Sequence, residues 1–291
     1  MKSIIKNIIT KELKKRNYEL LKHDIVPDQL VYSELFSSDS IKKRQFYNIS
    51  AGGHFGFGGR FFHPYWTNID VDIDCCGAKP FDPKIDISHD LLSLNSIPVE
   101  TESAELVHSR VTIEHITDEA AQFMFREVFR MLKTGGVFRI VCPDINLDVR
   151  ALLNNDRHFY YWSSRFPNLR NESLEHLFLD HFAGSLATNL EKRIQCGLQD
   201  NQIRALFTSG NEKEALNFIT SKIDLEVQKK NRQFHMNWWN HEKLSQALQN
   251  AGFKSVFRSG AGQSYSPAMR NPIYFDNFSN RVMLFADAVK E

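Results

Sequence analysis

The sequence predicts an α/β fold built on a mostly parallel sheet, and three observations carry that expectation. Short β-branched and aromatic runs alternate with helical periodicity through the first half of the chain. A dense glycine cluster follows the first of these runs immediately. The texture then changes near residue 150, becomes helical for some 80 residues, and reverts to α/β before the C-terminus. With 291 residues, 36 Lys plus Arg against 35 Asp plus Glu, and a net charge of +1, the chain has length for a large core. That charge balance provides no general field for nucleic acid. The four cysteines, two of them the adjacent Cys75 and Cys76, form neither a disulfide framework nor a zinc spacing. No run reaches membrane length, so a cytoplasmic, reduced protein without integral membrane association is expected.

Residues 1–24 carry Ile4, Ile5, Ile8, Ile9, Leu13 and Leu20 at near-helical spacing with a basic opposite face. We assign residues 1–45 to an N-terminal helical extension. Strands are expected at 46–50, 67–71, 104–108 and 137–142. A helix over 118–132 is ended by Gly135 and Gly136 after a basic last turn. Beyond Pro143, helices are expected at 191–207 and 212–227 within an insertion spanning 151–233, large enough for a lid. The α/β pattern resumes with a helix over 241–251, Gly252 as its stop, and strands at 254–258 and 280–289. The core domain is therefore 46–150 with 234–291.

Five of the fourteen glycines, Gly52, Gly53, Gly56, Gly58 and Gly59, crowd the loop leaving the first strand. Glycine there permits positive φ and close approach of backbone to a ligand, in the place where open α/β sheets dock nucleotide-like cofactors. No Gly-Lys-Ser/Thr follows, which disfavours a phosphate-binding loop of the ATPase type. The dinucleotide pattern fails as well, because Phe61 stands where its third glycine belongs. Asp70, at the end of the next strand, is placed to accept hydrogen bonds from ribose hydroxyls, with Asp72 its neighbour one pleat on.

The stretch from Tyr47 to Asp144 resembles the class I S-adenosylmethionine-dependent methyltransferases, closest to a type-11-like bacterial group associated with surface polysaccharides and small metabolites. The resemblance is carried by Tyr47-Asn48-Ile49-Ser50-Ala51-Gly52 with Asn68-Ile69-Asp70, and by Asp86-Ile87-Ser88-His89-Asp90-Leu91. The run Glu105 to Ile116, the run Phe125 to Gly136 and Pro143-Asp144 continue it. His235-Met236-Asn237-Trp238 and the Ala251-Gly252-Phe253 segment add to it near the end. It implies a Rossmann-like class I methyltransferase fold, a seven-stranded mostly parallel sheet with its last strand reversed. It implies S-adenosylmethionine as cofactor, held by Ser50, Gly52, Gly53, Asp70, Val71, Asp90, Leu91, Ser109 and Arg110. Where the family's first-strand motif usually begins with glycine, this chain has Ser50.

The implied activity is O-methylation of a small carbohydrate acceptor, a sugar or nucleotide-sugar precursor of a surface polysaccharide. A hydroxyl acceptor needs a base, and His115, just past the fourth strand, is the expected catalytic residue. His176, His181, His235 and Trp238 are expected to line the acceptor site. The pair His176 and His181 fits a metal, a pocket wall or plain structure; helical spacing places His176 beside Asp180 and turns His181 aside. No residue is assigned to a metal. The rival readings are an NAD-dependent oxidoreductase and a non-catalytic cofactor-binding protein with a degenerate site.

Overall fold

The computed structural model describes residues 12, 13, 15, 26–50, 61–71, 85–208, 210–277 and 280–291. Most of the N-terminal helix, the glycine cluster with Gly52 and Gly53, and Asp72 lie outside the described residues.

Seven strands form one sheet: β1 Phe46–Ile49, β2 Trp66–Asp70, β3 Ile87–Ser88, β4 Ala104–Arg110, β5 Leu132–Pro143, β6 Ser255–Ser259 and β7 Met283–Val289. Their order is β3-β2-β1-β4-β5-β7-β6. The pairs from β3 through β5 are parallel, whereas β7 runs antiparallel to both β5 and β6. The chain moves outward from β1 to β2 and β3, then crosses back to place β4 on the other side of β1. The reversal makes the carboxyl ends of β1 and β4 a topological switch point, where open α/β sheets hold ligands.

The expected elements shift in three instructive places. The helix α3, Asp118–Met131 (after α1, Asp28–Leu35, and α2, Ser38–Lys42), stops before the two glycines. Leu132 is fully buried and already extended, paired with Ala104, so sheet pairing pulls the chain out of the helix. The glycines instead serve an irregularity inside β5. Gly135 has φ +82°, and a Cβ on Gly136 would stand 2.8 Å from the Lys133 carbonyl oxygen. In the insertion, the helix expected at 191–207 is two, α7 Leu190–Gln195 and α8 Asp200–Thr208, parted at Gly197 with φ +72°. The next is likewise split into α9 Glu212–Thr220 and α10 Leu225–Lys230, because the Asp224 side chain caps the second by accepting from Glu226 and Val227 amides. The last strand begins at Met283, since Asn280–Val282 is a 3₁₀ turn.

Helices α3 and α11, His241–Asn250, cover one sheet face through Phe125, Val128, Leu244 and Leu248. On the other face Tyr32 of α1 meets Phe46, Trp66, Met269 and Phe275. A third apolar cluster joins α4 Ile145–Leu153 to α5 Leu174–Phe182, α8 and α9 through Val149, Phe178, Phe207 and Ile219. Helix α6, Gly184–Thr188, completes that cluster through Leu186. Trp238 belongs to it as well and ties it to the segment before α11.

Within the sheet, the fully buried His108 donates from Nδ1 to Asn48 Oδ1 at 2.8 Å and leaves Nε2 without a partner. Burial therefore holds its pKa well below the ordinary value near 6.5, with Arg139 and Arg110 adding to the effect. The unfolded chain takes up a proton here below about pH 6.5 and the folded chain does not, so this residue makes stability fall as pH falls. His108→Gln should lose less stability than the wild type between pH 7 and pH 5, by up to about 1.4 kcal/mol per pH unit. Urea melts at the two pH values test this; parallel losses in both proteins would contradict it.

Candidate active site

Register aligns the carboxyl ends of the central strands. Ile49 pairs with Ile69 and with Ser109, and Asp70 pairs with Ser88. Ser50, Asp70, Val71, Asp90, Leu91, Ser109 and Arg110 therefore lie along one edge of the sheet. Ser50 donates its amide to the Ile69 carbonyl at 2.8 Å and has φ +58°, the left-handed region that favours glycine. The serine thus keeps the backbone turn for which the resembled motif uses glycine. Asp70 turns Oδ1 onto the Val71 amide at 2.7 Å. Asp90 caps the 3₁₀ turn Leu91–Ser93 through the Leu92 amide and accepts from Arg232 Nη2 at 2.9 Å. Burial pushes its pKa up, but the Arg232 and Leu92 hydrogen bonds outweigh this and hold it below the ordinary carboxylate value. Ser109 Oγ donates to Thr112 Oγ1 at 2.8 Å, and Arg110 Nη1 donates to Asn277 Oδ1 at 3.0 Å.

Past β4 the chain turns through Val111, whose φ of +51° is strained for a β-branched residue. It enters the 3₁₀ turn Ile113–His115, against which the segment 234–239 is laced. The Glu114 carbonyl accepts from the Met236 and Asn237 amides at 2.8 and 3.1 Å. Trp239 Nε1 donates to the Ile113 carbonyl, and Asn237 Nδ2 to the Ile116 carbonyl and to Asp118.

This lacing gathers five titratable side chains. His115 Nδ1 donates to the Phe234 carbonyl at 3.1 Å. His235 Nδ1 donates to the His181 carbonyl, and its Nε2 lies 4.0 Å from Glu114 Oε1. His181 Nδ1 meets Asp148 Oδ1 at 2.6 Å. Glu114, Asp148, His181, His235, Trp238 and Trp239 are among the residues that bound a cavity of about 10 Å³, room for about one water.

Burial sets the proton affinities of this group. It pushes Glu114 up to about 8 and His115 down to about 4. It also holds His235 well below its ordinary value, with His115 and His181 adding to the effect. For His181 burial acts downward too, but the Asp148 carboxylate outweighs it and the net shift is upward. His115, the expected base, is thus held by the Phe234 carbonyl with its proton affinity lowered by burial. His176 stays apart with Glu172, 3.4 Å away, while His181, expected to turn aside, is the one that enters the cluster. Trp238 is buried and donates Nε1 to Asn217. Asp148 went unnoticed in the sequence. Its signal was an acid on the apolar face of Ile145, Val149 and Leu152.

The strand order, the reversed β7 and the switch point define the Rossmann-like class I methyltransferase architecture. Residues 72–140 match the family model described as methyltransferase domain. That match covers about a quarter of the chain, from just beyond β2 into β5. Among solved structures it is similar to PigF with SAH (10% identity, 97% of this chain and 65% of that one, TM-score 0.37). It is similar to a possible histamine N-methyltransferase from Thermotoga maritima (10%, 84% and 81%, 0.38). Human N-acetylserotonin methyltransferase in complex with SAM gives 11%, 87% and 51%, with TM-score 0.37. No curated protein sequence matches the chain. Among the described residues, no helix is long and apolar enough to cross a membrane.

Asn237 bonds two carbonyl and carboxylate oxygens and accepts from Lys243 Nζ at 2.8 Å. Asn237→Ala should cost about 1 to 3 kcal/mol by leaving buried groups unpaired. A urea midpoint shift measures it, and an unchanged midpoint would show the lacing to be dispensable.

Proposed function

We propose that the protein methylates a hydroxyl of a small carbohydrate acceptor, a sugar or nucleotide-sugar of a surface polysaccharide. The insertion 151–233 would close over the acceptor. The cofactor lies along Ser50, Gly52, Gly53, Asp70, Val71, Asp90, Leu91, Ser109 and Arg110. The observation that carries the placement is the switch point, with the Ser50 turn and the Asp70 carboxylate side by side at its edge. The bound cofactor supplies an electrophilic methyl group. The carbohydrate assignment rests on the resemblance of motifs read in the sequence. Asp90 supports the lid, because its ion pair with Arg232 joins the loop after β3 to the far end of the insertion.

The chain's own contribution is orientation, exclusion of water and a proton acceptor. We assign the acceptor role to His181 in place of His115. Donation from Nδ1 to Asp148 leaves Nε2 to take a proton, and the carboxylate raises its affinity for one. His235 and Trp238 line the same cavity.

S-adenosylhomocysteine at 100 times its dissociation constant should stabilise the fold by about 2.7 kcal/mol. Asp70→Ala should weaken its binding by about 1 to 3 kcal/mol through lost hydrogen bonds. No melting shift at millimolar ligand would remove the cofactor assignment, and a shift with NAD instead would favour the oxidoreductase. The acceptor is found by screening sugars and nucleotide-sugars with methyl-labelled cofactor. On that acceptor, His181→Asn should lower turnover roughly 100- to 10,000-fold with cofactor affinity kept within about threefold. Because the base must be neutral, wild-type turnover should rise with pH through an apparent pKa above 6.5, and the Asn variant should lose that limb. Full activity in His181→Asn, with the loss appearing in His115→Ala, would return the base to His115.

A further inference from the structure

Where the turn after β4 meets the 234–239 segment, hydrogen-bond acceptors converge without a donor. Glu114 is 1% exposed, and neither carboxylate oxygen has a hydrogen-bond partner. Because His235 spends its Nδ1 proton on the His181 carbonyl, its neutral ring presents the Nε2 lone pair to Glu114 Oε1, 4.0 Å away. His115 likewise spends Nδ1 on the Phe234 carbonyl, with the Arg232 carbonyl also against its ring. One ligand atom from each of the three residues lies within 4.8 Å of the others.

Lone pairs and a buried carboxylate at these distances repel one another unless something positive sits among them. A proton on Glu114 relieves one contact and leaves the remaining acceptors facing each other. A divalent cation satisfies all three side chains at once. We propose that Glu114, His115 and His235 bind one divalent transition-metal ion of the zinc class. A water in the adjoining cavity would complete a tetrahedral set.

Two imidazoles and a carboxylate, with no thiolate, form a borderline nitrogen and oxygen donor set suited to such an ion. Both rings already have the outer hydrogen bond that fixes a metal-binding histidine, an Nδ1–H held by a backbone carbonyl. Metal–ligand bonds of about 2.1 Å at tetrahedral angles need donors about 3.4 Å apart. Closure from 4.0 Å for the Glu114–His235 pair, and from no more than 4.8 Å for any pair, is a movement of roughly 1.4 Å at most, shared between two side chains. The cavity of about 10 Å³ bordered by Glu114 and His235 has room for the single water and little else. This site follows from the donor set; it shares His235 and the cavity with the proposed base, and its test reads metal rather than methyl transfer.

The test uses the full chain, free of any affinity tag, stripped with chelator and reloaded. Zinc measured after dialysis should reach one ion per chain. Cobalt(II) added to the stripped protein should give the strong visible absorption of a four-coordinate nitrogen and oxygen site. Glu114→Gln, close in shape, should weaken cobalt binding at least tenfold, as should His235→Ala, while His176→Ala should bind like the wild type. A folded wild type that binds less than a tenth of an equivalent of zinc, with no cobalt spectrum at millimolar metal, would overturn the proposal. Equal binding by folded Glu114→Gln and His235→Ala would overturn it too. Should a variant fail to fold, the wild-type stoichiometry and spectrum decide alone.

Discussion

The lacing of segment 234–239 onto the turn after β4 is the constraint on which the candidate site depends. Two amides on the Glu114 carbonyl, the Trp239 indole on Ile113 and the Asn237 amide on Ile116 fix that segment against the sheet's edge. With the backbone held there, Phe234 and His181 present their carbonyls to the rings of His115 and His235. Ring orientation and tautomer then follow. The segment also carries Trp238 into the apolar cluster of α4, α5, α8 and α9, so the same six residues join that cluster to the sheet. Burial that would otherwise only cost free energy becomes organised around one small cavity.

Strain along the carboxyl edge has a similar logic. Ser50 and Val111 hold positive φ values immediately after the two adjacent strands β1 and β4. Each such residue costs on the order of 1 to 3 kcal/mol, and the surrounding ladder must over-determine it. Here it does. The Ser50 amide is held by Ile69 and the Val111 amide by Val141, each on a neighbouring strand. The turns therefore open the switch point at the place where β1 and β4 diverge, and the sheet sustains a serine where glycine would rest without strain.

The fold was legible in the sequence because periodicity reports burial locally. The strands around Phe46, Ile69, Val107 and Ile140 showed their β-branched and aromatic runs, and α3 its apolar stripe. Gly135 and Gly136 misled for a physical reason. A glycine pair after a helix signals a stop, but the burial of Leu132 against Ala104 ends the helix sooner, and that pairing is not local. The split of the long insertion helices at Gly197 and Asp224 was written in residues with known stop and cap preferences. The candidate site was less legible. Position after β4 singled out His115, whereas its burial and its bond to Phe234, 119 residues on, belong to the fold alone. The importance of His181 depends on Asp148, on a helix 33 residues earlier in the chain.

These partnerships divide the cluster into two chemically different halves. His181 donates Nδ1 to Asp148 Oδ1, so their burial carries part of its own compensation. Glu114, His115 and His235 have no such internal balance, since the carboxylate has no hydrogen-bond partner and both rings turn their Nδ1 protons away to backbone carbonyls. A low-dielectric interior penalises that arrangement at every pH where Glu114 is ionised. The chain has three ways to lower the cost: protonate the glutamate, let water in, or hold a cation. Burial already pushes Glu114 toward the first, with a pKa of about 8, and the cavity's size limits the second to about one molecule. The third uses both at once, because a cation displaces the proton, ionises the carboxylate and takes the water as its remaining ligand. Placed directly after the strand whose end carries Ser109 and Arg110, that choice sets the charge of the ground just beyond the sheet's carboxyl edge.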